Sequence, residues 1–283
     1  MIQKCYLCGS TKYDVRPGKV RDNSSVEILE CQNCGLVFLS SKGLPIDFYE
    51  KSGMHGNELI QPDEWLRQIE RDDHRRIEYL SEAITNRDVL DFGCGPGGFL
   101  LKARSKCRSV VGIELESRLQ SHFTKNNLNV VKKLHDLPID QKFDMITAFH
   151  VVEHFEDPAD MLQQLSTKLN GGKIVIEIPS STDVLLQLYE NVPFAEFTYW
   201  SCHLYLFNSS NLHLLAKKAG LKLDYIEHVQ RYPLSNHLYW LSKGLPGGHQ
   251  IWGFIDSKEL SKAYEARLAS LGLTDSLIAC FSL

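Results

Sequence analysis

No stretch of this 283-residue chain approaches the roughly 20 consecutive apolar residues that a helix needs to cross a bilayer. A helical membrane protein is therefore excluded. The opening Met1-Ile2-Gln3-Lys4-Cys5-Tyr6 lacks the apolar core of a secretory leader, so the expected location is the cytoplasm, where thiols stay reduced. An excess of positive charge is also missing: Lys and Arg number 31 against 35 Asp and Glu, a net of −4. A nucleic-acid partner would need a local basic patch, and residues 1–44 carry a net of only +2. There is no internal repeat and no low-complexity tract, which excludes solenoids and leaves little room for disorder.

What is present is enough for one large α/β unit with a small appendage, since 43% of the residues are apolar. Residues 1–44 read as a small module and residues around Gly43 and Pro45 as a linker. An amphipathic helix is predicted from about Pro62 to Ala83, making 45–83 a linker with a helical lid. From residue 84 onwards, short apolar strands alternate with helices. The predicted strands are Val89–Asp91, Val110–Glu114, Val130–Val131, Phe143–Phe149, Lys173–Ile178, Leu223–Val229 and Leu277–Phe281. Between them, helices are predicted near 98–106, 117–127, 158–170, 211–219 and 257–270. Asp157-Pro158 opens one of them, which Gly171-Gly172 is expected to close, and Gly220 closes another. This alternation implies βαβ crossovers and a Rossmann-like, mostly parallel seven-stranded sheet with helices on both faces.

Cys5-x-x-Cys8-Gly and Cys31-x-x-Cys34-Gly form two knuckles separated by 22 residues. Two residues between thiolates allow both sulfurs to reach one tetrahedral ion. A stretch of 44 residues has too little core of its own, so Cys5, Cys8, Cys31 and Cys34 are expected to hold a structural Zn2+ in a zinc ribbon. Lys12–Val15 and Val26–Leu29 are expected to pair as a hairpin between the knuckles.

The most informative run is Val89-Leu90-Asp91-Phe92-Gly93-Cys94-Gly95-Pro96-Gly97-Gly98. It follows a strand and opens a helix, and its glycines satisfy the dinucleotide fingerprint, a weak signal alone. Charge separates the candidate ligands. A dinucleotide would set its pyrophosphate at this helix start, beside the Asp91 carboxylate. S-adenosylmethionine has no phosphate, and its ammonium and sulfonium suit a carboxylate there. Glu114, 21 residues beyond Gly93, ends the next strand, where a carboxylate can accept both ribose hydroxyls.

Asp91-Phe-Gly-Cys-Gly-Pro-Gly-Gly98, then Gly112-Ile-Glu114, then Phe143-Asp-Met-Ile-Thr-Ala-Phe-His-Val-Val-Glu-His-Phe-Glu-Asp-Pro158 resembles class I methyltransferases of the ubiquinone-biosynthesis type, over about residues 80–230. With the cysteine quartet, it also resembles methyltransferases of polysaccharide and deoxysugar pathways. The resemblance implies S-adenosylmethionine as cofactor, with Asp91, Gly93, Cys94 and Gly95 near its methionine end and Glu114 and Leu115 on the ribose side. It implies that Asp136 and Leu137 touch the adenine, and that the loop from Phe149 and His150 to His154 lies beside the methyl donor.

Methyl transfer to a hydroxyl or carbon acid needs a proton acceptor with a pKa near 7, which favours histidine. His154 and His203 are the candidates, with Tyr199 behind them. The acceptor side is expected in residues 180–208, rich in aromatics, and in 231–252, expected as a cap over the acceptor. The expected substrate is a small molecule, best matched by a sugar or nucleotide-linked sugar. An RNA methyltransferase gripping RNA through the zinc module is the alternative, and a non-enzymatic zinc-ribbon adaptor the other. A nicotinamide dehydrogenase is disfavoured by Asp91. Nucleic acid is an unlikely partner on charge, and the chain is expected as a monomer or homodimer.

Overall fold

The computed structural model describes residues 4–41, 48 and 61–283, so most of the expected linker lies outside the described residues. Three short strands, β1 (Tyr13–Val15), β2 (Ile28–Cys31) and β3 (Val37–Leu39), pair antiparallel in sequence order. The expected hairpin is there but displaced: Tyr13 faces Cys31 and Val15 faces Leu29. Val26 instead closes a turn, its amide donating to the Asn23 carbonyl at 3.2 Å.

Helix α1 (Pro62–Ile84) opens on a proline, whose missing N–H falls where no helical bond is made. Its Ile77, Leu80 and Ile84 are buried. Next come β4 (Asp88–Phe92), α2 (Gly98–Ala103), β5 (Ser109–Ile113), α3 (Gln120–Lys125), β6 (Val130–Val131) and β7 (Phe143–Phe149). Helix α4 (Pro158–Ser166) starts where expected: the Asp157 side chain accepts from the Asp160 amide at 3.0 Å. Its end is a correction. Gly171 and Gly172 do not close it; they lie inside β8 (Leu169–Pro179). The reason is close backbone approach, because a Cβ on Gly172 would stand 1.9 Å from the Asp144 carbonyl oxygen of β7.

The chain continues through α5 (Val184–Gln187), α6 (Val192–Thr198), β9 (Tyr205–Leu206), α7 (Ser209–Ala219) and β10 (Lys222–Val229). It ends with α8 (Leu234–Lys243), α9 (Gly248–Ile251), α10 (Lys258–Leu271) and β11 (Ser276–Ser282). The seven-stranded sheet has the order β10-β11-β8-β7-β4-β5-β6; β8, β7, β4, β5 and β6 run parallel, and β11 is antiparallel to both neighbours. Strand order reverses between β4 and β7, and in such sheets the crevice at the strands' carboxyl ends at that point takes the ligand.

The N-terminal module borrows its core. Its sheet is completed by β9 of the large domain, with Val37 opposite Leu206 and Phe38 opposite Tyr205. Cys5, Leu29, Cys31, Leu36 and Phe38 share one buried cluster with Leu204, Tyr205 and Phe207. No helix among the described residues is long and apolar enough to cross a membrane.

Candidate functional site

A cavity of about 520 Å³ opens at the carboxyl ends of β4, β5 and β7. Its walls are Trp65, Ile69, Asp72, Asp73 and Arg76 of α1, the run Asp91–Pro96, the run Ile113–Glu116, Phe149–Val151, His154–Glu156, and Arg231. The size lies within the usual range for small-ligand sites. Gly93 has φ +74°, and a Cβ there would meet Val151 at 2.5 Å, so only glycine passes between β4 and the loop after β7.

Asp91 is 2% exposed, and its Oδ1 accepts from Thr147 Oγ1 at 2.7 Å. Burial pushes its carboxyl up to about 7. Glu114 accepts backbone amides on both oxygens, from Gly95 at 2.8 Å and Glu116 at 2.9 Å, and burial raises its pKa as well. The two strand-end carboxylates thus both reach the cavity, and Glu114 also ties the glycine turn to β5.

Beneath the cavity lies a buried charge network. Glu177, in the apolar strand β8, is 0% exposed. It accepts from Arg75 Nη2 at 2.7 Å and Arg76 Nε at 3.1 Å, with His150 Nε2 at 3.2 Å. Burial alone would raise its pKa, but Arg76 and His150 hold it well below the usual carboxylate range. Arg231 Nε donates to Asp72 Oδ1 at 3.1 Å, tying the segment just after β10 to α1. Asp73 is pushed up to about 6 by burial, and its Oδ2 has no hydrogen-bond partner among the described residues. His150 itself has φ +55°, a left-handed conformation that costs a non-glycine residue of order 1–3 kcal/mol. Sequence reading missed this network. Its signals were the doubled pairs Asp72-Asp73 and Arg75-Arg76 at helical spacing, and a lone glutamate amid Ile and Val.

His154 lines the cavity, and its Nδ1 lies 2.8 Å from the Cys202 carbonyl oxygen. His203 does not line it. Its ring lies tilted behind His154, with centroids 5.0 Å apart, and burial with the neighbouring His154 holds its imidazole down to about 4.

A model of the methyltransferase domain family matches residues 65–226, more than half of the chain. The chain belongs to this family. It is an S-adenosylmethionine-dependent methyltransferase. It is 29% identical over 178 residues to a ubiquinone biosynthesis O-methyltransferase of Coxiella burnetii, covering 57% of this chain and 75% of that one. A tRNA U34 carboxymethyltransferase of Pseudoalteromonas atlantica is 29% identical over 112 residues, 36% of this chain and 35% of that one. Two solved structures share the fold. One is a methyltransferase of Thermotoga maritima (TM-score 0.50, 17% identity, 78% of this chain and 94% of that one). The other is magnesium protoporphyrin IX methyltransferase of Synechocystis with bound SAH (TM-score 0.50, 12% identity, 83% and 96%).

In this methyltransferase Asp91, Gly93, Cys94, Gly95, Glu114, Leu115, Phe149, His150 and His154 surround one cavity. Several expected residues stand off it. Leu137 is buried in the main core, and Asp136 caps its own turn, accepting from the Lys133 amide at 2.8 Å. The neighbours of Glu114, Leu115 and Glu116, occupy the wall instead. Tyr199 is a correction to the candidate bases: it packs among Val20, Ile28, Leu39 and Leu186, and burial pushes its phenol up to about 12. No residue of 180–208 lines the cavity; that segment touches the wall residue His154 through the His203 ring and the Cys202 carbonyl. Of 231–252 only Arg231 lines it, while Trp240 packs against Phe194 and Phe197.

The four N-terminal cysteines converge. Cys5 and Cys34 sulfurs lie 3.6 Å apart, and Cys8 and Cys31 sulfurs 3.5 Å. All four are free of disulfides, and tetrahedral zinc with Zn–S near 2.3 Å calls for sulfurs about 3.8 Å apart, so the set fits such an ion.

Proposed function

We propose that this enzyme methylates a hydroxyl of a small-molecule acceptor, with His154 as the proton acceptor and a structural Zn2+ on Cys5, Cys8, Cys31 and Cys34. The observation that carries the reading is His154 on the wall of the cavity that holds Asp91 and Glu114, its Nδ1 fixed against the Cys202 carbonyl. With Nδ1 as donor, Nε2 is the basic nitrogen. S-adenosylmethionine supplies a methyl group already activated by its sulfonium. His154 would take the acceptor hydroxyl's proton on Nε2 as that oxygen accepts the methyl group. Asp91 holds the cationic methionine end and Glu114 the ribose hydroxyls.

The relative named for ubiquinone biosynthesis O-methylation supports oxygen as the methylated atom. The sugar expected from the sequence finds no counterpart in the relatives reported above. Phe92 and Phe155, with ring centroids 5.9 Å apart on the wall near His154, favour an acceptor with a flat apolar face. Two basic residues of the N-terminal module make contacts to the large domain. Arg16 donates to the Ser181 carbonyl at 2.9 Å, and the Arg21 guanidinium lies 4.0 Å over the Trp200 ring. Incubating the enzyme and methyl-tritiated S-adenosylmethionine with separated small-molecule and RNA fractions of a cell extract tests this. Label is expected in the small-molecule fraction; label in RNA alone would move the reading to the tRNA side.

Two binding results are expected. Glu114→Ala removes the carboxylate from the ribose hydroxyls and from the glycine turn, and is expected to weaken S-adenosylmethionine by about 1.5–3 kcal/mol, roughly 10- to 150-fold. Calorimetry reads this, and an unchanged Kd would place the ribose elsewhere. Asp91 supplies a pH dependence. With its carboxyl raised to about 7 by burial, it is largely protonated at pH 6 and ionised at pH 8. A cation binds the ionised form, so affinity is expected to rise between those pH values. Asp91→Asn is expected to bind weakly with that rise abolished. Parallel pH profiles for the two proteins would assign the titration to another group.

A further inference from the structure

Several contacts between the cysteine module and the large domain lead to the His154 loop. Tyr6 stands between Cys5 and Cys8. Its hydroxyl donates to Asp157 Oδ1 at 2.5 Å and accepts from the Ala159 amide at 3.0 Å. Asp157 is the cap of α4, three residues beyond His154. The Tyr205 ring lies tilted against Tyr6, with centroids 5.3 Å apart, and its hydroxyl donates to the Glu156 carbonyl at 3.0 Å. The second knuckle makes its own contact: Asn211 Nδ2 donates to the Cys34 carbonyl at 2.6 Å, at the start of α7. Between the two runs a backbone ladder. The Leu39 amide of β3 donates to the Leu204 carbonyl at 3.3 Å, and the Leu204 amide to the Glu153 carbonyl at 2.9 Å.

The loop after β7 is held from within by an ion pair, His150 to Glu153 at 3.4 Å, and by short-range backbone bonds. Its own backbone bonds are those of a single short turn, His154 to Val151 at 3.1 Å and Phe155 to Val152 at 3.3 Å. Segments so sparsely bonded open at low free-energy cost unless a neighbour pins them. Here the pins are Tyr6 of the module and Glu177, Cys202, Leu204 and Tyr205 of the large domain, the last two paired with β3 of the module.

We infer that the four-cysteine module is a brace for the proton-accepting loop and that Tyr6 is its positioning residue. It sets where His154 stands without contributing to cofactor binding. The inference rests on the readings of His154 as base and of the cysteines as a zinc site. None of the cavity's lining residues belongs to the module, and the two carboxylates assigned to the cofactor, Asp91 and Glu114, lie outside the loop, so cofactor affinity is expected to outlast loop order.

The test uses the full chain: wild type, Tyr6→Phe, and wild type stripped with a chelator. It reads amide exchange by mass spectrometry, zinc content, binding of S-adenosylhomocysteine, and the NMR titration of the His154 imidazole. Tyr6→Phe is expected to retain its zinc and to bind S-adenosylhomocysteine within about threefold of wild type. Its amides at 151–159 are expected to exchange roughly tenfold faster or more, and its His154 midpoint to move. A packing role alone would leave that midpoint in place. Chelation is expected to speed exchange at 151–159 and at 202–208 together. Unchanged exchange and titration at the loop in Tyr6→Phe overturns the inference, as does a loss of S-adenosylhomocysteine binding in step with the exchange. Wild type that carries no zinc would defeat the metal reading, while the Tyr6→Phe arm still decides the brace. No arm uses turnover, so the result stands apart from whether His154 is the base.

Discussion

His154→Ala is expected to lower methyl transfer by roughly 10²–10⁴-fold while S-adenosylmethionine binding stays near normal. The size follows from the role: removing a positioned proton acceptor leaves the methyl donor and acceptor aligned, but the hydroxyl must lose its proton to water. Binding should survive because the cofactor's charges and hydroxyls are answered by Asp91 in β4 and by Glu114 just after β5, neither of which His154 supports. His203→Ala should cost much less, of order tenfold. His203 stands behind His154 and off the cavity, so its loss loosens the base without removing it. Single-turnover transfer to the labelled small-molecule fraction, beside calorimetry of the cofactor, measures both. Full turnover in His154→Ala would mean that the base lies elsewhere or that the acceptor arrives ionised. Equal losses in the two variants would mean that the histidines act as one unit.

The second large effect is expected from Cys31→Ser. Wild-type protein should carry about one zinc per chain and the variant none. Loss of a structural metal belongs among the largest single-site effects, above about 4 kcal/mol, which corresponds to a fall in Tm of roughly 8–16 °C for a domain of this size. The fall should not be confined to the module. Cys31 lies in β2 and in the same buried cluster as Tyr205 and Phe207, so losing the metal exposes core shared with the large domain. Elemental analysis with thermal denaturation checks this. A zinc content near zero in wild type, or a variant that keeps both metal and Tm, would leave the cysteines as ordinary core thiols.

What could be read along the chain was local. The helix cap at Asp157 and the left-handed closure at Gly220 follow from hydrogen bonds that span three or four residues. So does the glycine turn after β4, where φ values of +74° at Gly93 and +52° at Gly95 call for glycine. The cofactor carboxylates were legible for the same reason: Asp91 and Glu114 each end a strand of a regular βαβ unit, and that unit's geometry carries both to one crevice. Gly171-Gly172 misled because glycine serves equally as a helix stop and as a point of close strand approach, and only the neighbouring Asp144 carbonyl distinguishes them.

Other features belong to the assembled molecule. Hydrophobic periodicity reports that a face is buried, not what buries it. Tyr199 read as a candidate base, but its ring is taken up by Val20 and Leu39 of the N-terminal module. Glu177, Arg76 and His150 are far apart in sequence and meet only because α1 crosses β8 at the end of β7. The sequence by itself determined the family, the parallel sheet, the cofactor and the four converging cysteines, because each rests on spacings of a few residues or on one repeating unit. Only the tertiary structure decided that His154 lines the cavity and His203 stands behind it, and that β9 completes the module's sheet. Those are pairings between segments more than 40 residues apart, and their geometry is set by how two sheets share one core, which no local pattern encodes.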